Sequence, residues 1–299
     1  MRAGVVILAA VVLACFLAPL YASYISQTDP FRSNVNGKVL GMDVLAENTA
    51  GLGLGVTPIG PTWSGAYLLG ADTQGRDVAA RLLYGGRTSL LIASCATVVC
   101  LVLAAVLGVL SGFVGGAVDT VLAGLLDLLW AFPVYLLAIS LSIVLISQDL
   151  RIGPLLVGAD SLALPILILG IVYVPYVARP IRAQVLALRR AEFIEAAEAT
   201  GGAPLHILRR HVLPQVWPGL IGFAPVVMAM ALLTEAALSV LSIGVQAPAA
   251  SWGTLIADGQ ALIYTRPAVA IAPGVAVVIT VLALNVVGEA WRKALETRR

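Results

Sequence analysis

The sequence predicts an all-α, polytopic membrane protein with six transmembrane helices, on three observations. Hydrophobic residues make up 60% of the 299-residue chain and charged residues only 11%, so the bilayer suits this chain better than water does. Uncharged stretches recur at the length that crosses the hydrocarbon core, about 20 residues of helix. These stretches lack the period-two alternation of membrane barrel strands, which leaves helices to satisfy their backbone hydrogen bonds.

In chain order the six stretches are Ala3–Thr28, Thr88–Val118, Thr120–Gln148, Ser161–Ala178, Val212–Ala257 and Pro267–Gly288. The first follows Arg2 and could be read as a secretory leader ending near Ala22, but its uncharged length favours a retained helix. Between the second and third, the Gly112–Gly116 region predicts a tight turn. Asp127 interrupts the third stretch, close to Trp130 and to Pro133, where a kink is expected. Pro175, Pro225 and Pro273 are further candidate hinges, although kinks that only improve packing are as common. The fifth stretch contains Glu235 and is too long for one span; its apolar part ends near Gly244, with Gln246-Ala247-Pro248 as an exit turn. The resulting division is residues 1–28 as the first transmembrane helix, 29–87 as an external segment and 88–299 as a five-helix core.

Six crossings put both termini on one side, and the basic residues choose that side. Eleven of the 18 Lys and Arg fall on the terminal side, among them Arg179, Arg182, Arg189, Arg190, Arg209 and Arg210. Both termini are therefore expected in the cytoplasm of a cell whose inner membrane holds the chain. The external segment is rich in Gly, Pro, Asn and Thr in its first part, which predicts irregular structure. Around Asp77–Leu83 it becomes helix-compatible, with Asp77 and Arg81 at i,i+4 spacing and Tyr84 placed as an interfacial aromatic.

Several activities are excluded or unsupported. The only lysines are Lys38 and Lys293, and neither completes the GxxxxGK[ST] loop that cradles nucleotide phosphates. Cys15, Cys95 and Cys100 lie within apolar runs without metal-ligand spacing, so no metal site is predicted. The scattered arginines form no basic track for nucleic acid. Catalytic motifs such as HExxH or a nucleophile elbow are absent.

The cytoplasmic connection, 186–218, is the most informative. Ala-rich Glu195-Ala196-Ala197 favours a first helix, Gly201-Gly202 permits a sharp turn, and Pro214 after Leu213 ends or kinks a second. Glu192, Glu195 and Glu198 make the first half acidic; Arg209, Arg210 and His211 make the second basic, with Leu205, Leu208 and Val212 as its apolar stripe. On periodicity alone, an amphipathic helix pair that merely seals the bundle explains it equally well. His206 and His211 read as plain polar contacts rather than a pH or metal sensor.

The ordered spacing Glu195-Ala-Ala-x3-Gly201 followed by Leu213-Pro214 resembles the EAA loop in the membrane subunits of binding-protein-dependent ABC importers. The Gly70-Ala-Asp72-Thr-Gln-Gly75-Arg76-Asp77 segment, with Arg81, Tyr84-Gly85, Arg87 and Ser89-Leu90, is similar to the dipeptide, oligopeptide and nickel permeases of the DppC/OppC type. Gly244 to Asp258, including Trp252-Gly253, resembles that branch's outside loop between its last two helices. Ala71 departs from the Thr usual in the branch. The resemblance implies a type I importer permease whose cytoplasmic loop is a coupling helix docked on the ATPase. It further implies a second homologous permease, two cytoplasmic ABC ATPases that hold ATP and Mg, and an external substrate-binding protein, with no cofactor and no catalysis on this chain. The expected cargo is a dipeptide or oligopeptide, with nickel complexes or haem as alternatives in the same branch.

Asp127 and Glu235 are candidate translocation-pathway residues, since an ionisable group at bilayer depth costs roughly 2.5–3.5 kcal/mol without a partner or water. Pairing in a protein seam is the equal alternative. A self-sufficient channel or secondary transporter working through these two acids is the rival function. Such transporters usually contain internally repeated halves, and residues 1–150 and 151–299 show no such symmetry.

Overall fold

The computed structural model of the chain describes residues 2–47, 56–147, 150–152, 155–157 and 161–296. Its helices are α1 (Arg2–Phe16), α2 (Ala18–Leu20, continued as a π-turn over Tyr21–Ser26), α3 (Val78–Val114), α4 (Gly116–Ala131) and α5 (Val134–Ser147). After these come α6 (Ala163–Val172), α7 (Val174–Arg189), α8 (Glu192–Ala199), α9 (Pro204–Ile207), α10 (Leu213–Gly222), α11 (Ala224–Val240), α12 (Trp252–Gln260) and α13 (Ala268–Glu296).

Two helices, Val78–Val114 and Ala268–Ala294, are each long and apolar enough to cross a bilayer alone. Four bent pairs bring the number of spans to as many as six: Arg2–Phe16 with Ala18–Ser26, Gly116–Ala131 with Val134–Leu145, Ala163–Val172 with Val174–Arg189, and Pro204–Gly222 with Ala224–Val240. The bends coincide with prolines, which lack the N–H that would continue the ladder. Pro175 and Pro225 sit at 42° bends, whereas Pro133 sits at a 94° break, well beyond the kink expected from sequence. Pro273 lies inside α13 without breaking it.

The core is organised around α3. Ala96, Cys100, Ala104, Gly108 and Gly112 recur every fourth residue and are all buried, so they form one smooth face along the helix. A Cβ on Gly108 would stand 2.8 Å from the Ala178 carbonyl oxygen, and one on Gly112 would stand 2.8 Å from that of Arg182. Small residues thus let α3 and α7 approach backbone to backbone, the packing that associates helices where lipid offers no hydrophobic drive. Ile181 and Val185 fill the α7 side of the seam. The chain leaves α3 at Gly115, whose φ of +71° suits glycine and places the turn where the sequence puts it.

The external segment differs from the irregular structure expected. It contains two antiparallel pairs, β1 (Lys38–Val39) with β2 (Met42–Asp43) and β3 (Leu45–Glu47) with β4 (Val56–Pro58). A third pair, β5 (Leu150–Ile152) with β6 (Leu155–Val157), follows α5. Val44, Ile59, Tyr67 and Ala71 close a small core beneath the first two. Helix α3 starts at Val78, so the charge-based boundary at residue 87 falls inside a continuous helix. α13 likewise runs on to Glu296, past the expected end at Gly288.

Candidate functional site

The 186–218 connection is a helix pair hinged on glycine. Helix α8 carries Glu192 and Glu195 in its first turn, where carboxylates complement the helix dipole. It closes with Gly201 N–H donating to the Glu198 carbonyl at 2.9 Å and Gly202 N–H to the Ala197 carbonyl at 3.0 Å. This pairing is a Schellman cap, and its left-handed residue is Gly201 at φ +81°. Gly201 needs that backbone conformation rather than room, since a Cβ there meets nothing within 4 Å. Gly202 needs the room: its Cβ would lie 2.7 Å from the Ala197 carbonyl oxygen.

The second helix does not stop at Pro214. Pro204 opens α9, a π-turn spans Leu208–Val212, and Leu213-Pro214 begins α10. Proline offers no N–H to the Arg210 carbonyl, and the wider turn absorbs that loss. The extra residue also resets which side chains face inward. Ile207, Val212, Val216 and Leu220 are buried, and the five-residue step from Ile207 to Val212 keeps His211 off the buried line. The apolar stripe expected at Leu205, Leu208 and Val212 holds at Val212, which is buried, and at Leu208, which packs against the core, and is corrected at Leu205, which is 64% exposed while Ile207 takes the inner position.

Ile194 and Ile207 are buried and join the core, fixing the hairpin to the bundle. Glu195, Ala196, Gly201, Leu213 and Pro214 remain exposed, while Ala197 is half-buried. Their neighbours include exposed Phe193, Leu205 and Trp217 and the cations Arg209 and Arg210. The result is a mixed apolar and charged surface over α8, α9 and the start of α10. Arg189, at the end of α7, donates to the Val114 carbonyl at 3.4 Å, tying this connection to the end of α3.

The external motif residues converge on a buried ionic clamp. Asp72 accepts from Gln74 N–H and Arg76 N–H with one carboxylate oxygen and from Arg76 Nε, at 2.6 Å, with the other. Arg76 and Arg81 both reach Asp258 on α12, at 3.0 and 3.1 Å. Arg81 also donates to the Pro30 carbonyl. Burial pushes the Asp258 carboxyl above its ordinary range, against the pull of the Arg81 and Arg76 guanidiniums. Asp258 was not among the site residues expected from the motifs, because its partners lie 177 and 182 positions away.

Asp77 and Arg81 do not pair as their spacing suggests. Asp77 is the N-cap of α3 and accepts from Ala79 N–H and Ala80 N–H, while its second oxygen accepts from Tyr67 N–H at 2.8 Å. That carboxylate is occupied by backbone donors, leaving Arg81 to Asp258 and, at 3.5 Å, to Asp72. Gly75 sits at φ +73°, and a Cβ on it would stand 2.4 Å from the Asn34 carbonyl oxygen. Trp252 is buried on α12 and donates from Nε1 to the Leu82 carbonyl at 3.0 Å. Gly253 lets α12 meet α11, its Cβ position being 2.6 Å from the Ala236 carbonyl oxygen. Arg87 stands apart from this clamp and lies over the Tyr84 ring, 5.7 Å from its centroid.

The two membrane acids occupy contrasting places. Asp127 is exposed on α4 and pairs with Arg179 of α7 at 2.6 Å; one turn away, Arg182 holds Asp119 at 2.6 Å. Arg179 also lies over Trp130, at 5.2 Å. Glu235 is 0% exposed, and its oxygens accept from Ser89 Oγ at 2.9 Å and Ser239 Oγ at 2.8 Å. The same hydroxyls accept from Trp252 N–H and Val245 N–H, so their protons are directed at the carboxylate. In this structure Glu235 braces α3, α11 and the loop after α11.

Comparison with known proteins places this architecture. Residues 104–299 match the family described as binding-protein-dependent transport system inner membrane component. A Brucella suis biovar 1 (strain 1330) protein, named provisionally as a peptide transport system permease protein, is 34% identical over 297 residues, covering 99% of this chain and 87% of that one. The dipeptide transport system permease protein DppC of Alkalihalophilus pseudofirmus is 33% identical over 235 residues, covering 79% of this chain and 73% of its own. In fold, the chain is similar to a chain of the MetNI methionine ABC transporter in an inward-facing conformation, with TM-score 0.56, 19% identity, and coverage of 72% of this chain and 95% of that one. With its helical spans, glycine-hinged 186–218 connection and matching family core, this chain belongs to the binding-protein-dependent transport system inner membrane components.

Proposed function

We propose that this chain is one of two permease subunits in an ATP-driven peptide importer, with both termini in the cytoplasm. Cytoplasmic ATPases dock on the α8–α9 hairpin, and an external binding protein delivers the peptide. The observation that carries the reading is the hairpin itself. It is fastened to the core by Ile194 and Ile207, set by a Schellman turn at Gly201, and exposes Glu195, Ala196 and Pro214. A rigid lever of this kind passes a partner's movement into α7 on one side and α10 on the other. Relatives named as dipeptide and peptide permeases support the choice of cargo.

Cross-linking tests the docking. A cysteine at exposed Ala196 is expected to form a bis-maleimide adduct with the ATPase in the assembled complex, and one at Tyr264, 98% exposed on the opposite side, is not. Adducts from Tyr264 but none from Ala196 would contradict the reading.

A further inference from the structure

We infer that the external half of the subunit holds a chamber for the C-terminal end of a peptide, with Arg87 pairing its carboxylate and the apolar walls receiving its last side chain. This rests on the peptide-importer reading and adds to it a substrate contact on the permease itself.

The chamber has a volume of about 750 Å³, within the range of roughly 300–1,000 Å³ typical of small-molecule sites. Its walls are Val12 and Phe16 of α1 and Leu91 and Ser94 of α3, and the Gln246–Ala250 loop borders it on the external side. Arg87 is exposed at this cavity. Among the described residues it has no carboxylate partner, in contrast to Arg76, Arg81, Arg179 and Arg182, each of which holds one. The guanidinium rests on Tyr84, and Phe31 braces that ring edge-on at 5.2 Å between centroids. A positioned, unpaired guanidinium beside an apolar chamber is complementary to a carboxylate attached to an apolar group, because arginine binds carboxylates in a two-pronged fork.

The polar atoms favour a peptide over a lipid. Thr88, Ser94 and Gln246 interrupt the apolar walls; Ser94 Oγ donates to the Leu90 carbonyl and Gln246 Nε2 to the Ser242 and Gly244 carbonyls, which leaves their oxygens to accept from the peptide N–H groups that an acyl chain lacks. Phe31 and the Gln246–Ala250 loop also border the arginine's chamber from the external side, where a phospholipid headgroup would otherwise reach water. The buried Ser89–Glu235–Ser239 brace, which accepts Val245 N–H and Trp252 N–H, holds that loop at both ends.

The test uses the complete importer with its binding protein in proteoliposomes, and a transported peptide ending in a photoreactive benzoyl-phenylalanine with a free carboxylate. Wild type is expected to be labelled within α3 or the Gln246–Ala250 loop. Arg87→Gln should lose at least about tenfold in labelling and in peptide uptake at low concentration, the scale of one charge-assisted pair. Arg87→Lys should keep part of both, and Ser94→Trp, which fills the chamber, should block labelling without removing the charge. Unchanged labelling and uptake in Arg87→Gln would overturn the inference. So would loss of the second permease from that variant, which would assign the chamber to the subunit seam, or a defect that disappears when anionic phospholipid is omitted, which would assign it to a lipid headgroup. A wild-type complex that moves no peptide at all would instead overturn the peptide reading, and the chamber's assignment with it.

Discussion

At the residue scale the external clamp is the most demanding feature, because it buries two guanidiniums against two carboxylates. Removing one partner from such a cluster leaves uncompensated charge, at a cost on the order of 3–5 kcal/mol. Asp72 has almost no solvent contact, whereas the Asp258 side chain retains 34%. Asp72→Asn is therefore expected to lower the thermal stability of the purified subunit more than Asp258→Asn; the reverse order would contradict the clamp as described. Acidity gives a second readout. Asp258 binds its proton at higher pH in the folded chain than in the unfolded one. Its ionisation therefore opposes stability as pH rises through that raised value, and Asp258→Asn should remove this component. The sequence already carried the members of the cluster: Asp72, Arg76 and Arg81 stand out within one segment and Asp258 closes another, but nothing local announces that the two segments meet. The i,i+4 spacing of Asp77 and Arg81 misled because the first turn of a helix offers a carboxylate free backbone N–H groups that outcompete a side-chain partner.

At the element scale the α8–α9 hairpin shows what local patterning can and cannot reveal. Gly201 and the Ala-rich first helix were legible, since a left-handed cap and a helix former each have a residue signature. The π-turn was not, because it arises where Pro214 meets a tertiary demand for Val212 to face inward. Deleting Arg210 removes the extra residue and turns α9 by about 100° relative to α10. The expected result is loss of transport with normal membrane insertion. Retained transport would show that the register of Ile207 against Val212 does not matter. The two- and three-residue strands of the 29–87 segment were similarly invisible, being too short for an alternation pattern, and the 94° break at Pro133 exceeded what one proline implies.

At the scale of the whole molecule, the approximate positions of the spans were legible from uncharged length, and the distribution of arginine gives an expected sidedness. Helix ends were less legible, since α3 begins at Val78, before the uncharged stretch, and α13 runs on to Glu296, past it. Cysteine labelling checks the orientation: Tyr264→Cys should react with an impermeant thiol reagent from outside and Thr200→Cys only after the cytoplasmic face is opened. Ser251, also in the external loop, is buried as the N-cap of α12 and is a poor probe. The reverse accessibility would invert the topology. The central claim is that the Gly201-hinged hairpin transmits ATPase movement into the spans, and ATP-driven uptake by complexes carrying Gly201→Val or Glu195→Arg tests it most directly. Valine cannot adopt φ +81° without strain, and arginine at position 195 reverses the charge on the exposed face. The account predicts that each variant inserts and pairs with the second permease, yet loses uptake and retains less ATPase on purification. Full uptake by both variants, with the ATPase still bound, would contradict it.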